Sequence, residues 1–249
     1  MKILLITDTH YWTDISWDIH PSGISTYGNL QDTYQKISEY IETHHIEHLM
    51  HLWDISCVKL ENKLEKMKEF LDYITCKNIY LLPWNHDIPH LDKWEKKYFW
   101  YDKLPQKLSF WDTDIILLWI ELQNGLWCIN DASFKALEEI LSISQTKYKI
   151  VCCHYPCSER EENICPYHLL KNKKHKSFLI NSSDIRKLLE TYSVNTYISG
   201  HTHFYYKENI HWVEHITLPA FAEDNSTWKA NLSFAILDTE NWELTHHTL

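Results

Sequence analysis

Glycine is nearly missing from this chain: 4 occur in 249 residues, about 1.6% against an average usage of roughly 7%. Long apolar runs are missing too. The N-terminal stretch "MKILLITDTH" meets its first acidic residue at Asp8, too early for a signal peptide and far too early for a membrane span. A cytoplasmic protein without a membrane partner is therefore expected. The cysteines (57, 76, 128, 152, 153, 157, 165) are odd in number and lack paired C-x-x-C spacing, which favours free thiols over a disulfide framework or a structural zinc site. Basic excess is absent, and a formal net charge of -10 disfavours indiscriminate binding to phosphate backbones. No internal repeat or low-complexity linker divides the chain, and its length suits one α/β domain, residues 1–249.

What is abundant is tryptophan, with 12 copies. Gly and Trp together make up about 6% of the chain, close to the usual share of glycine alone.

The apolar pattern predicts a strand at 2–7, a helix carrying Leu30, Tyr34, Ile37 and Ile41, a strand at 47–52, a helix carrying Leu64, Met67, Leu71 and Ile74, and a strand at 78–82. That βαβαβ rhythm implies a largely parallel sheet covered by helices. A strand near 114–120, a helix over 131–142, a strand at 148–153, a helix capped by Ser182 or Ser183, and a strand at 195–198 follow. From 205 onward the spacing suits antiparallel hairpins. The longest irregular stretch, 155–180, holds "KNKKHK" at 171–176, either a solvated loop or a phosphate-contacting one.

Polar, metal-capable side chains stand just after these strands. Asp8 and His10 follow the first, Asp54 the second, and Asn85, His86 and Asp87 the third. His154 follows a later one, and His201 and His203 lie in "SGHTHF". Ligand sites of open α/β sheets lie beyond the carboxyl ends of the strands, so a metal site there is expected. In D-x-H and H-x-H, alternate residues of an extended segment point the same way and can reach one centre. Imidazole, carboxylate and amide donors together suit Mn, Fe or Zn, and are too many for one tetrahedral ion. Two ions, bridged by a carboxylate, are implied. His44, His45, His48 and His51 form no such pattern and read as helix-end and strand residues. Asp14, Asp18 and His20 read as surface loop.

The ordered series "DTH", "WDIS", "WNHD", "CCHYP" and "GHTH" resembles the calcineurin-like metallophosphoesterases, over residues 1 to about 220. The resemblance implies a four-layer α/β/β/α sandwich and a two-metal phosphoesterase. It would place Asp8, His10, Asp54 and His203 on one ion and Asp54, Asn85, His154 and His201 on the other, with Asp54 bridging. Two divalent ions, manganese first and iron or zinc after it, would supply a bridging hydroxide for in-line attack on a phosphomonoester or phosphodiester, a nucleotide among the candidates. His86 would stabilise charge or protonate the leaving oxygen, oriented by Asp87. An SbcD-like DNA nuclease ranks second, because the charge is acidic and no sizeable DNA-capping domain follows residue 220. A non-catalytic metal-binding scaffold is a third reading, against which the complete ligand set weighs.

Where that family has glycine, this chain has Trp53 and Trp84. The substitution recurs in "TENWEL", "NSTWKA" and "KENIHWVEH", where Trp242, Trp228 and Trp212 occupy turn positions suited to glycine. One expectation is that many of these tryptophans are glycines in the cell, since UGA is read as Gly in some bacterial lineages and translated as Trp by a commonly applied table. The other is a protein truly rich in Trp, with an aromatic-walled cleft, in which Trp94 and others are authentic.

Overall fold

Strand β1 (Lys2–Thr7) buries all but its first residue, and the 14-residue helix α1 (Leu30–Thr43) returns the chain to β2 (His48–Leu52) beside it. The computed structural model describes residues 1–10, 30–55, 71–82, 105–157, 164, 168–169, 172–173, 176–221, 223–224, 229–230 and 232–249. Outside the described residues lie Asn85, His86 and Asp87 with Trp84, as well as Trp94 and Trp228, Cys57 and Cys165, Asp14, Asp18 and His20, Leu64 and Met67, and part of the lysine-rich loop. The chain divides into two compact units, Met1–Asp102 with Pro219–Leu249, and Lys103–Leu218.

In the first unit β3 (Asn78–Leu82) follows, after a segment whose residues 71–73 are helical. β1, β2 and β3 pair in parallel, Thr7 opposite Leu52 and Leu52 opposite Leu82. This is the expected βαβ arrangement, and it brings the three carboxyl ends into line. Tyr34, Ile37 and Ile41 recur at the spacing of one helix face and are buried in the core with Leu4, Ile6, Leu49 and Phe234.

The second unit contains β4 (Gln106–Phe110), β5 (Thr113–Leu117), β6 (Glu121–Gln123), β7 (Leu126–Cys128), α2 (Asp131–Ile143), β8 (Tyr148–Cys152), α3 (Ser182–Thr191), β9 (Thr196–Ser199), β10 (Tyr206–Ile210) and β11 (Val213–Thr217). Its sheet runs β10-β11-β9-β8-β5-β4, with β5, β8, β9 and β11 parallel and antiparallel strands at both edges. β5 stops at Leu117, three residues short of the expected strand. Leu118, whose N–H still donates to Cys152 O at 2.9 Å, and Ile120 are fully buried past that end, so the apolar run reflects burial beyond the strand.

α2 is capped by Asn130, whose side chain accepts from the Ser133 amide at 2.7 Å. α3 departs from expectation by a residue or two. Its N-cap is Asn181, ahead of Ser182, and that side chain makes no cap bond. The amide is spent on the Ile129 backbone, accepting from its N–H at 3.2 Å and donating to its carbonyl at 2.7 Å.

The chain then returns to the first unit through the short pair β12 (Glu223–Asp224) and β13 (Lys229–Ala230), followed by β14 (Ser233–Asp238) and β15 (Glu243–Thr248). β14 lies antiparallel to β1, Ile3 opposite Leu237, and β15 antiparallel to β14. The resulting order is β15-β14-β1-β2-β3. The expected hairpins after residue 205 are present in both units.

Candidate metal centre

Each unit carries its own group of candidate ligands. In the first, the turns leaving β1 and β2 are tied together by their backbones: Asp8 N–H donates to Trp53 O at 3.1 Å, and His10 N–H donates to Asp54 O at 3.0 Å. Trp53 N–H in turn donates to Leu82 O at the end of β3, at 3.0 Å. Asp8 and Asp54 are 0% and 2% exposed. A carboxylate oxygen of Asp8 lies within 4.8 Å of one of Asp54, and His10 Nε2 is 3.9 Å from Asp8 Oδ1. The Thr7 hydroxyl lies 2.6 Å from Asp8 Oδ2.

In the second unit His154 follows β8 and is fully buried. Its carbonyl accepts from Gly200 N–H at 2.9 Å, which holds the turn after β9 against it. The His154 and His201 rings meet edge to face, their centroids 5.0 Å apart, and Tyr155 stacks on His201 at 3.7 Å. His201 Nε2 lies 3.0 Å from Lys176 O. A carbonyl only accepts, so Nε2 carries the proton and Nδ1 is the nitrogen able to bind a cation. His203 is 7% exposed.

Five of these residues share an unusual backbone. Asp8, His10, Asp54, His201 and His203 have φ of 50°, 43°, 45°, 68° and 60°, in the left-handed region where a side chain is strained. Such strain collects at functional sites and persists only where the surroundings hold it. The sequence-expected Asp8, His10 and Asp54 are therefore grouped in the first unit, with His154 and His201 grouped and His203 nearby in chain in the second.

Two neighbours, Thr9 and His51, are given no role by the motifs. Thr9, between Asp8 and His10, donates its hydroxyl to Ile55 O at 2.8 Å and is 2.9 Å from His51 Nε2 on β2. Burial lowers the His51 pKa to about 3, against the opposing pull of Asp8 and Asp54, so the ring is neutral.

The donors suit divalent metal ions. Two carboxylates buried within 4.8 Å of each other repel, and a divalent cation both offsets that repulsion and accepts their oxygens. Neutral imidazole and carboxylate together are borderline donors appropriate to Mn, Fe or Zn.

A family model described as calcineurin-like phosphoesterase matches residues 1–205. The chain belongs to the calcineurin-like phosphoesterase family. The match runs through both units and includes every candidate ligand. No curated protein matches this calcineurin-like chain. Among solved structures it resembles a dimetal phosphatase from Danio rerio, with a TM-score of 0.64 and 13% identity over 95% of this chain and 91% of the other. It also resembles a purple acid phosphatase from yellow lupin (Lupinus luteus) seeds, with a TM-score of 0.65 and 14% identity over 100% of this chain and 51% of the other. A third likeness is to an anchor in the inner membrane complex of Plasmodium, with a TM-score of 0.59 and 11% identity over 100% of this chain and 88% of the other. These likenesses establish a shared mixed α/β fold, that of the calcineurin-like phosphoesterases. Among the described residues no helix is long and apolar enough to cross a membrane.

Proposed function

We propose that the two units act as one domain, residues 1–249, and that this domain is a phosphoesterase working with two divalent cations, manganese preferred. The reading rests above all on Asp8 and Asp54, two carboxylates buried within 4.8 Å of each other just past the carboxyl ends of the parallel strands β1 and β2. Asp8, His10, Asp54 and His203 would hold one ion, and Asp54, Asn85, His154 and His201 the other. Divalent cations held there would supply Lewis acidity and lower the pKa of water toward neutrality.

The chain's own groups set the conditions for that chemistry. Lys176 O holds the His201 proton on Nε2 and so presents Nδ1. The paired backbone bonds from Asp8 and His10 to residues 53 and 54 fix the spacing of the carboxylates before any ligand arrives. His86, with Asp87 orienting it, would donate a hydrogen bond or a proton to the departing oxygen. The substrate is a small phosphomonoester or phosphodiester, with a nucleotide the first to try and nucleic acid second. We place the protein in the cytoplasm, a location with which the free Cys76, Cys128, Cys152, Cys153 and Cys157 agree.

The test counts manganese bound per chain at equilibrium and follows hydrolysis of bis(p-nitrophenyl) phosphate. Two ions and metal-dependent turnover support the proposal; a chain that binds none sinks it. Two ions without turnover on a broad ester panel favour a scaffold instead, a use of the fold in keeping with the anchor it resembles.

A further inference from the structure

We infer that Trp53, Trp111, Trp212 and Trp242 are glycines in the protein that the source cell makes. Six tryptophans lie among the described residues: 53, 111, 119, 127, 212 and 242. These four have φ of 73°, 52°, 72° and 62°, and Trp119 and Trp127 are not in the left-handed region. Left-handed backbone is rare for any bulky side chain. Among the described residues it takes four of six tryptophans, while Leu232 is the one other large apolar residue that adopts it, and at each of the four the local turn favours glycine for its own reason.

Three of the four sit in hairpin turns of different geometry. β10 and β11 pair Ile210 with Val213, so His211–Trp212 is a two-residue loop with φ of 46° and 72°. The molecule provides its own standard in the β6–β7 loop, where Asn124–Gly125 has φ of 52° and 79° between paired Gln123 and Leu126. Both follow the type I′ pattern, which favours Gly second. β4 and β5 pair Phe110 with Thr113, leaving Trp111–Asp112, of which only the first has positive φ. That is the type II′ pattern, with Gly at the first central position. The loop from Thr239 to Trp242 ends on a left-handed residue whose N–H donates to Asp238 O at 2.9 Å, again a glycine position. The fourth, Trp53, turns the chain between β2 and Asp54, with its backbone bonded on both sides to the neighbouring strand ends and its side chain wholly buried. In the native protein Asp54 would thus be presented by a glycine turn.

The test is to read codons 53, 111, 212 and 242 in the source DNA and to sequence the corresponding peptides from the native protein. Four UGA codons with Gly in each peptide is the expected result. A Trp in any of the four peptides overturns the inference, whatever the enzyme assays show.

A separate observation points to His51 as a positioning residue for the Asp8–Thr9–His10 turn, a role that rests on the metal-centre reading. The Thr9 hydroxyl has one hydrogen. It donates that hydrogen to Ile55 O, so it accepts from His51, whose proton must be on Nε2. His51 on β2, Ile55 just past Asp54 and Thr9 between two ligands therefore form one chain of hydrogen bonds, with Thr9, His51 and Ile55 all fully buried. Groups behind metal ligands that fix their orientation typically change affinity about 10- to 100-fold when removed. Manganese titration of His51→Leu should show at least about a tenfold weaker dissociation constant, and His51→Gln, which keeps a donor at the right reach, should restore it. Thr9→Val and Thr9→Ser form a parallel pair, the first weakened and the second restored. If the wild type binds no manganese, the metal reading itself fails. If it binds and folded His51→Leu and Thr9→Val bind equally well, or the conservative variants give no rescue, His51 has no positioning role.

Discussion

Replacing Trp212 by glycine in a recombinant protein that carries Trp should stabilise it. Trp212 is 95% exposed, so its removal forfeits almost no buried surface. Left-handed backbone costs an L-residue about 1–2 kcal/mol, while glycine adds unfolded-chain freedom worth roughly 0.5–1 kcal/mol. The difference leaves a gain of about 0.5–1 kcal/mol, which for a chain of this size raises Tm by about 1–4 °C. Urea unfolding followed by circular dichroism measures it. Gly125→Trp, at the matching position of the other two-residue turn, should lose a similar amount. Trp127→Gly is the control: its strand backbone makes no such demand and its ring lies 5.6 Å from that of Tyr155, so the substitution should destabilise. A neutral or harmful Trp212→Gly together with a tolerated Gly125→Trp would mean that these turns place no demand for glycine.

Burial, with a smaller push from Arg186, lowers the pKa of His215 from 6.5 to about 4. The unfolded chain takes up a proton below pH 6.5 that the folded chain refuses until about 4. The associated stability is complete above pH 6.5 and is lost as the pH falls, by about 3 kcal/mol across that window. Unfolding midpoints at pH 7 and 4.5 should therefore converge in His215→Leu relative to wild type; an unchanged difference contradicts this. Asn130→Ala removes the cap of α2 and should cost about 1 kcal/mol in urea unfolding. Ile37→Ala, a fully buried helix residue in the first unit's core, should cost about 2–5 kcal/mol by the same measurement. His86→Asn should lower kcat with manganese stoichiometry unchanged, and full turnover would remove His86 from the reaction.

The parts of the fold that could be read in advance are those with local physical causes. Tyr34, Ile37 and Ile41 announce a helix by their spacing, and the runs at 2–7, 47–52 and 78–82 announce strands. Pairing across the whole chain has no local signature, which is why β14 beside β1, with Ile3 opposite Leu237, emerges only in three dimensions. The α3 cap was displaced because Asn181 is committed to Ile129, a tertiary contact. At the site, Asp8, His10, Asp54, His154, His201 and His203 were legible as strand-end residues in a known order. His51 was not, since a lone histidine in "HLMHL" resembles any strand residue until Thr9 is seen against it. Trp111 likewise gave no warning: "SFWDT" contains no turn dipeptide, and only the Phe110–Thr113 pairing shows that a positive φ is required there.

The most direct measurement is the number of manganese ions bound per chain by protein with Gly at 53, 84, 111, 212 and 242, compared with its Asp54→Asn variant, in parallel with bis(p-nitrophenyl) phosphate hydrolysis. The account predicts two ions and metal-dependent turnover in the first protein, with reduced occupancy and turnover in the second. A folded protein that binds no manganese, iron or zinc, or one whose binding is indifferent to Asp54→Asn, would contradict it.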